Sequence, residues 1–351
     1  MSFMTDKIAL ERDFGIHLSG CRGYWPEMAN DAMPDFPEVT APNSGVPWNF
    51  TAYTDPKIIK VLITPMKSEE VYGSAKKGDW VTTTALFPVV ELSGRSVSYA
   101  DYGQNGDSDA NANWINRQSF HFQTWTKWGE REVEMLAAGK IDAVNQKNLA
   151  SISVLQKDAN WINLFGIAGL ELYGALNDPQ LPPAIQPTPK VNTAGTATGS
   201  GEWTSMSDPL QVYADILKMF QQLTVQMGGN LDLETPIKLV IPTERQQCLL
   251  YANQFFAKTL REMLKETLPN MEIETLPEAG SSLSGGAMAA CVAQMFVREV
   301  EGQDSVTTAF TEKLRAHAVE RYSTNTRQKK SQGSWGTLWF YPQACVTMTG
   351  I

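Results

Sequence analysis

The side chains that most often carry out chemistry in proteins are few in this sequence and stand far apart. None of its three histidines stands at helical or short-loop spacing from a second histidine or a cysteine: they are His17, His121 and His317. A zinc-type site needs such spacing, because imidazole and thiolate ligands must converge on one ion. His121 alternates with two phenylalanines, which favours a solvent-facing strand position over a catalytic base. We therefore predict no metal site.

The remaining motif candidates lead to the same prediction for cofactors and catalysis. The four cysteines fit no metal or redox spacing, and we expect reduced, mostly buried thiols: they are Cys21, Cys248, Cys291 and Cys345. Residues 107–111 imitate the start of a calcium loop, but Ala112 and Gln118 stand where glycine and a bidentate glutamate belong. Phosphate-binding, dinucleotide-binding, nucleophile-elbow and HExxH patterns are absent from the sequence. We predict no catalytic and no cofactor-binding residue, and hence a protein that is not an enzyme.

Composition describes an acidic, globular chain. The 351 residues include 38 acidic and 29 basic side chains, a formal net charge of -9, and 42% of residues are apolar. This apolar content excludes disorder along the whole chain, and the length suits about two domains. The acidic balance argues against a protein that grips nucleic acid by neutralising phosphates, although contact through a neutral or acidic wall stays open. Because no long apolar run or secretory signal occurs, we expect a cytosolic protein without a membrane segment.

Residues 24–56 combine many prolines with large aromatic side chains. Proline at this density prevents a helix or a central strand and favours extended backbone. Aromatic residues such as Trp25, Trp48 and Phe50 gain free energy only when they cover an apolar surface. The pattern predicts an extended arm, which packs either on its own domain or on a neighbouring subunit.

The following segments predict strands and then a long helix. Residues 80–87 and 119–125 alternate between apolar and polar side chains, as strands do. The polar, turn-rich residues 94–107 between them predict a long hairpin-like excursion whose strands need support from elsewhere. Apolar residues then recur along one helical face over about 129–158, with glutamates in the first turns, where the helix dipole favours them. We expect one long helix there, ended by residues 160–166.

The second half of the chain predicts an α+β arrangement with a mixed sheet. Proline and glycine over residues 179–208 mark a boundary or surface loop. Asp208 and Pro209 predict the start of a helix that Gly228 ends. Its expected buried stripe is Leu210, Tyr213, Ala214, Leu217 and Phe220.

Further elements follow to the end of the chain. Residues 237–242 predict a buried strand leading into a helix with a capping box at Thr243 and Gln246. We also expect a helix around 255–268, a strand over 271–276 and a flexible glycine-rich loop over 280–286. A strand over 287–300 and several more from residue 310 complete the prediction.

Two surface features leave alternatives open. The basic cluster of Arg327, Lys329 and Lys330 is either a solvated turn or an electrostatic contact to an acidic neighbour or nucleic acid. The ten tryptophans suit a carbohydrate-binding surface, and they suit arms and interfaces equally well.

This order of elements resembles the major capsid proteins of tailed phages with the Hong Kong 97 type fold, and within them the phage-related major capsid family. The resemblance covers most of the chain and lies in the order of its motifs. These are NWINLFG at 160–166, NDP at 177–179, DP at 208–209 with its helix, LVIP at 239–242, ERY at 320–322, SQGSWG at 331–336 and MTGI at 348–351.

The resemblance implies a fold and a division of the chain. The fold is α+β, with an N-terminal arm over residues 1–60. A first part of the P-domain spans 61–190 and holds an E-loop hairpin at about 75–127 and a spine helix at about 129–158. An A-domain spans 191–310, and residues 311–351 return to the P-domain.

The resemblance also implies a function, that of a structural protein whose copies assemble as pentamers and hexamers into the icosahedral head of a tailed double-stranded DNA phage. Its partners would be itself, with scaffolding, portal and decoration proteins, and packaged double-stranded DNA without sequence-specific contact. We expect it in the virion, and in the host cytoplasm during assembly. The expected inter-subunit contacts are Trp25, Trp48, Phe50, Arg95, Tyr99, Tyr102, Arg327, Lys329 and Lys330. The alternatives are an encapsulin-like shell that stores cargo and a soluble carbohydrate-binding protein.

Overall fold

The computed structural model describes residues 65–99, 101–102, 106–138, 142–191, 199–204, 208–251 and 258–351. They belong to one folding unit, Val61–Ile351. The predicted arm over residues 1–60, with Trp25, Trp48 and Phe50, lies outside the described residues.

Five α-helices and twelve strands are described. The helices are α1 Ser68–Tyr72, α2 Glu130–Ala138, α3 Ala143–Phe165, α4 Pro209–Gln226 and α5 Leu260–Thr267. The strands are β1 Ser74–Lys76, β2 Thr84–Gly94, β3 Ser108–Gln118, β4 Phe120–Gly129, β5 Ile237–Pro242, β6 Met271–Leu276, β7 Val292–Val297, β8 Glu299–Val300, β9 Gln303–Asp304, β10 Val306–Arg321, β11 Asn325–Trp339 and β12 Cys345–Thr349.

Two four-stranded sheets organise the described residues. The first sheet has the order β1-β10-β11-β4, with β1 parallel to β10 and the other pairs antiparallel. The second sheet has the order β12-β7-β5-β6, with β5 parallel to β6 and the other pairs antiparallel. Helix α3 packs on β4 and β11, whereas α4 packs on β7 and β12. This arrangement is the mixed α+β class that the sequence predicts.

The long helix expected over about 129–158 is two helices. Helix α3 begins after Asp142, whose carboxylate accepts a hydrogen bond from the Asn145 amide at 3.0 Å, as an N-cap does. It continues to Phe165 and ends at Gly166, which has a φ of +66°. We predicted that the helix stops before residues 160–166. These residues instead form its last turns, and Gly166 is its C-cap. Their two asparagines are buried and face other elements, which explains polar residues inside a helix.

The local signals of α4 are confirmed, but its buried face is not. Asp208 caps the helix by accepting a hydrogen bond from the Leu210 amide at 3.0 Å, and the helix ends just before Gly228. The buried residues are Val212, Asp215, Ile216, Met219 and Leu223. In the predicted stripe, Leu210 and Ala214 are exposed and the other three residues are half-buried. The sequence pattern missed the buried face because a carboxylate is normally excluded from one, and Asp215 is an exception.

Two further expectations are corrected. The segment Thr243–Leu250 is a 3₁₀ helix without a side-chain cap, whereas a complete capping box occurs at Thr259 and Glu262 of α5. The strand expected over 287–300 is shorter, Val292–Val297. Residues 311–351, which we expect to return to the P-domain, divide between the two sheets, because β12 pairs with β7 in the second. Four of the five β12 residues are buried, so this strand needs cover on both faces.

Strands β2 and β3 form a separate hairpin inside the predicted excursion, but the second expected strand, over 119–125, lies in β4 of the first sheet and not in the hairpin. They pair with each other from Thr84↔Gln118 to Gly94↔Ser108, and within the described chain neither strand pairs with a third. Near the base, Ala85 and Phe87 pack on the cluster around Trp335. The hairpin thus has apolar support only at its attachment to the first sheet.

Candidate functional site

The β2–β3 hairpin exposes apolar side chains along a two-stranded ribbon. Val90 and Trp114 are each 59% exposed, and Leu86 is 60% exposed. Residues 108–114 of β3 are all exposed, and burial begins only at Ile115 and Arg117. Exposed apolar patches of this kind mark sites of protein association, because leaving them in water costs free energy.

The end of the hairpin carries three of the predicted contact residues. Arg95 is exposed, and Tyr99 and Tyr102 are 89% and 100% exposed. Asp101, Asp107 and Asp109 lie in the same segment and are exposed, so this end is acidic overall. The structure gives these side chains the accessibility that a contact requires.

The basic cluster lies on β11 and divides between the two faces of the first sheet. Arg327 and Lys329 face away from α3 and lie over the ring of Trp125 on β4, with centroid distances of 4.7 and 5.9 Å. Arg327 also lies 4.7 Å from the ring of Tyr322 and pairs with Glu320 at 2.6 Å. We call Trp125 and Lys127 of β4 with Arg327 and Lys329 of β11 the cation–aromatic face.

Lys330 occupies the opposite side of the same strand. It is 4% exposed, and its ammonium donates to Asn148 Oδ1 at 2.8 Å and Ser151 Oγ at 2.7 Å, both on α3. Burial lowers the pKa of Lys330. The expectation that Lys330 faces another chain is therefore corrected: strand alternation turns it inward while its neighbour Lys329 turns outward.

His121 is also placed differently from the prediction. It is half-buried, and its ring meets the Trp80 indole edge-on at a centroid distance of 4.5 Å. Its Nε2 lies 3.4 Å from Thr311 Oγ1, and burial lowers the pKa of the imidazole. Trp80 in turn lies under the Arg315 guanidinium at 5.3 Å, so His121 belongs to a packed stack rather than to open solvent.

Three pairs of buried polar side chains were not predicted from sequence. Arg117 pairs with Asp178, Lys190 with Asp215, and Asn160 with Glu278. Each pair joins segments far apart in the chain, so no spacing rule identifies it. One signal existed for the first, since Asp178 lies in the NDP motif singled out at 177–179.

The described residues show no arrangement typical of a metal or cofactor site. In these parts of the chain, no group of three or more His, Cys, Asp or Glu side chains could hold an ion. Cys248, Cys291 and Cys345 are free and buried, as predicted, and Cys21 lies outside the described part. Among the described helices, none has the length and apolar character needed to span a membrane.

Comparison with known proteins gives one family and several solved capsids. Residues 37–350 match the family described as Pa193 gp26 major capsid protein. The capsid of Myoviridae phage XM1 aligns with a TM-score of 0.70 at 11% identity, covering 88% of this chain and 100% of that chain. The native GTA particle capsid gives 0.56 at 11% identity, with coverages of 85% and 94%. The structure of Mycobacterium phage Ogopogo aligns with a TM-score of 0.53 at 10% identity, covering 86% of this chain and 98% of that chain. No curated protein sequence matches the chain.

These likenesses confirm the predicted fold class, an α+β capsid fold of the Hong Kong 97 type. Because the match covers residues 37–350, the chain belongs to the Pa193 gp26 major capsid protein family. Its function is that of a major capsid protein, as the motif order implied. The family match favours this function over the cargo-shell and carbohydrate-binding alternatives.

Proposed function

We propose that this protein self-assembles through pentamers and hexamers into an icosahedral head, and that the β2–β3 hairpin makes the main contact between neighbouring subunits. The observation that carries the proposal is the exposure of Leu86, Val90 and Trp114 on a ribbon without a third strand among the described elements. A ribbon of this kind is marginal in water by itself, so a neighbouring surface would stabilise it. In a closed shell this contact repeats with the symmetry, so each one can be weak.

The cation–aromatic face is the surface we propose for the end of the neighbouring hairpin. It presents Lys127, Arg327 and Lys329, with Glu320 as the counter-charge of Arg327. The hairpin end presents three aspartates and two exposed tyrosines against one arginine. Opposite charges would set the register of the contact, and the tyrosines would add apolar area around Trp125.

We propose the remaining roles by likeness to major capsid proteins. We propose that the arm over residues 1–60 and its Trp25, Trp48 and Phe50 pack on adjacent subunits, and that P-domain and A-domain divide near residue 190. Scaffolding, portal and decoration proteins would bind the assembled shell, and double-stranded DNA would fill it without sequence-specific contact. The protein would assemble in the host cytoplasm, reside in the virion and catalyse no reaction.

Sedimentation velocity and negative-stain electron microscopy of the purified protein test the hairpin contact. We expect rings or closed shells from the natural sequence, and monomers from Val90→Ser combined with Trp114→Ser. The matched control is Val225→Ser with Leu233→Ser, which removes similarly exposed apolar side chains away from the hairpin. Equal loss of assembly in both double variants would mean that the hairpin has no special role. If the protein with the natural sequence stays monomeric at every concentration, this result would contradict unaided self-assembly.

A further inference from the structure

The base of the hairpin is attached to the body through one buried ion pair. Arg117, near the end of β3, donates from Nη2 to Asp178 Oδ2 at 2.9 Å, and the two side chains are 6% and 0% exposed. The guanidinium also lies 4.9 Å from the centroid of the Tyr173 ring. Arginine provides a planar, permanently charged group that can pair and stack at once, which fixes its orientation more tightly than a lysine would be fixed.

The neighbours of Arg117 tie the same point to the same loop. Asn116 Nδ2 donates to Glu171 Oε2 at 2.6 Å, and the Gln118 amide donates to the Glu171 carbonyl at 3.1 Å. Three consecutive β3 residues thus bind the segment 171–178. This attachment is local, since β3 residues before Ile115 are exposed.

The other side of the base is open. A cleft of about 280 Å³ separates the hairpin from the end of the first sheet, lined by Phe87, Val90, Ile115, Trp339 and Phe340. Arg117 Nε is buried and has no hydrogen-bond partner within the described chain. In the described part of the protein, the hairpin is therefore held only at its base, by Arg117 on β3 and by the contact of Phe87 on β2 with Phe340, and it has free volume beside it, so the base can act as a pivot.

The length of the hairpin amplifies any rotation at its base. Eleven paired residues extend about 35 Å at the usual rise of a strand, so a rotation of about 10° at Arg117 moves the far end by about 6 Å. A displacement of that size exceeds the range of any hydrogen bond or apolar contact.

We infer that the Arg117–Asp178 pair is the positioning element of the hairpin: it sets the direction in which the hairpin leaves the subunit and so determines the geometry of the shell contact. The inference rests on the proposed function for its second half only. Arg117 and Asp178 are positioning residues, because they act through the hairpin and touch no other subunit in this account.

A distance measurement on the monomer tests the pivot independently of assembly. Two cysteines are introduced for spin labelling, Tyr102→Cys on the hairpin and Leu314→Cys on β10, in a chain that also carries Cys21→Ser. Pulsed electron paramagnetic resonance measures the distribution of distances between the two labels, which reports the distribution of hairpin directions. We expect at least a twofold broadening in Arg117→Met and in Asp178→Asn. Arg117→Lys should broaden the distribution less, because it keeps the charge and loses the fork and the stacking.

The matched control breaks the other ion pair that is buried among the described residues. Asp215→Asn disrupts Lys190–Asp215, whose side chains are 2% and 0% exposed, in the second sheet region. It should lower stability comparably without changing the distance distribution. If Arg117→Met fails to fold, Asp178→Asn and Arg117→Lys carry the comparison.

Shell geometry provides the second readout, by electron microscopy of particles from the same chains without labels. Arg117→Met and Asp178→Asn should give particles of at least twofold wider size distribution, or none, while Asp215→Asn gives particles of normal size. Unchanged distances in the Arg117 and Asp178 variants would overturn the pivot. Broadened distances with normal particles would retain the pivot and overturn its control of the shell. Failure of the natural sequence to assemble would count against the proposed function alone.

Discussion

Lys190 and Asp215 form an ion pair in the interior of the protein, between the segment that precedes α4 and α4 itself. Asp215 also accepts hydrogen bonds from Thr188 Oγ1 at 2.6 Å and from Trp203 Nε1 at 3.0 Å. One carboxylate therefore gathers three segments of the chain. A buried pair contributes little net stability by itself, but removal of one partner leaves an unpaired buried charge.

Asp215→Asn should lower the free energy of unfolding by about 3–5 kcal/mol, because the buried Lys190 keeps its charge and loses its ion pair with the Asp215 carboxylate. Chemical denaturation followed by tryptophan fluorescence measures the change. Lys258→Met, which breaks the exposed pair Lys258–Glu266, is the control and should cost less than about 1 kcal/mol. A similar loss in both variants would show that burial of the first pair is unimportant.

Glu278 connects the second sheet to α3 in a way that depends on pH. Its Oε1 accepts from Asn160 Nδ2 at 2.7 Å, while Oε2 is buried without a partner among the described residues. Burial raises the pKa of Glu278 above its ordinary value of 4.5. A raised pKa means that the folded state favours the protonated form, so the contribution of Glu278 to stability is greatest below 4.5 and is lost as pH rises through the folded-state pKa.

Glu278→Gln should therefore gain stability relative to the natural sequence as pH increases, since the amide keeps an acceptor for Asn160 and never ionises. Unfolding free energies of both chains between about pH 4 and about pH 8 give the difference. A difference that is constant over this range would contradict the raised pKa.

The contribution of Glu244 to stability has the opposite dependence on pH. Its carboxylate accepts hydrogen bonds from the Ser282 hydroxyl and from the amides of Ser282 and Leu283, both at 3.0 Å. The Ser282 hydroxyl is the main reason that the pKa of Glu244 lies below its ordinary value of 4.5. A depressed pKa adds stability that is present above 4.5 and is lost as pH falls through the folded-state pKa.

Glu244→Gln should accordingly be less stable than the natural sequence at neutral pH and approach it in acid. Hydrogen exchange of residues 280–286 provides a local readout, because the carboxylate binds two amides of this loop. Faster exchange confined to the loop supports the assignment. Exchange that is unchanged at neutral pH would show that the loop is held by other contacts.

The arm prediction stands on sequence alone and has a direct test. Replacing both Trp25 and Trp48 with alanine should abolish or slow assembly while leaving the unfolding transition of the monomer in place, because the indoles are expected to cover a neighbour. Sedimentation and thermal unfolding of the same samples separate the two effects. Loss of monomer stability together with assembly would make the arm part of its own domain.

Local chemistry explains which structural predictions succeeded. The start of α4 follows from Asp208 and Pro209, and its end from Gly228, because caps need only residues adjacent in the chain. The hairpin was recognisable because strand alternation and turn-rich residues are also local signals. The order of motifs identified the capsid family, since a long chain preserves element order even where identity is as low as 11%.

The predictions that failed concern faces and partners. Lys330 differs from Lys329 only by strand alternation, and register with β4 decides which of them meets α3. Sequence reasoning predicts too early an end for α3. Asn160 and Asn163 are polar, and only the tertiary structure shows that each has a buried hydrogen-bond partner far from it in the chain.

The sequence by itself determined the α+β class, the caps of α4, the hairpin and the capsid family. Only the tertiary structure decided that β12 joins the second sheet, and that Arg117 meets Asp178 across 61 residues of chain. The physical reason is that caps, turns and periodicity are interactions between near neighbours. A buried ion pair or a sheet partner is instead selected by the packing of distant segments around a common core.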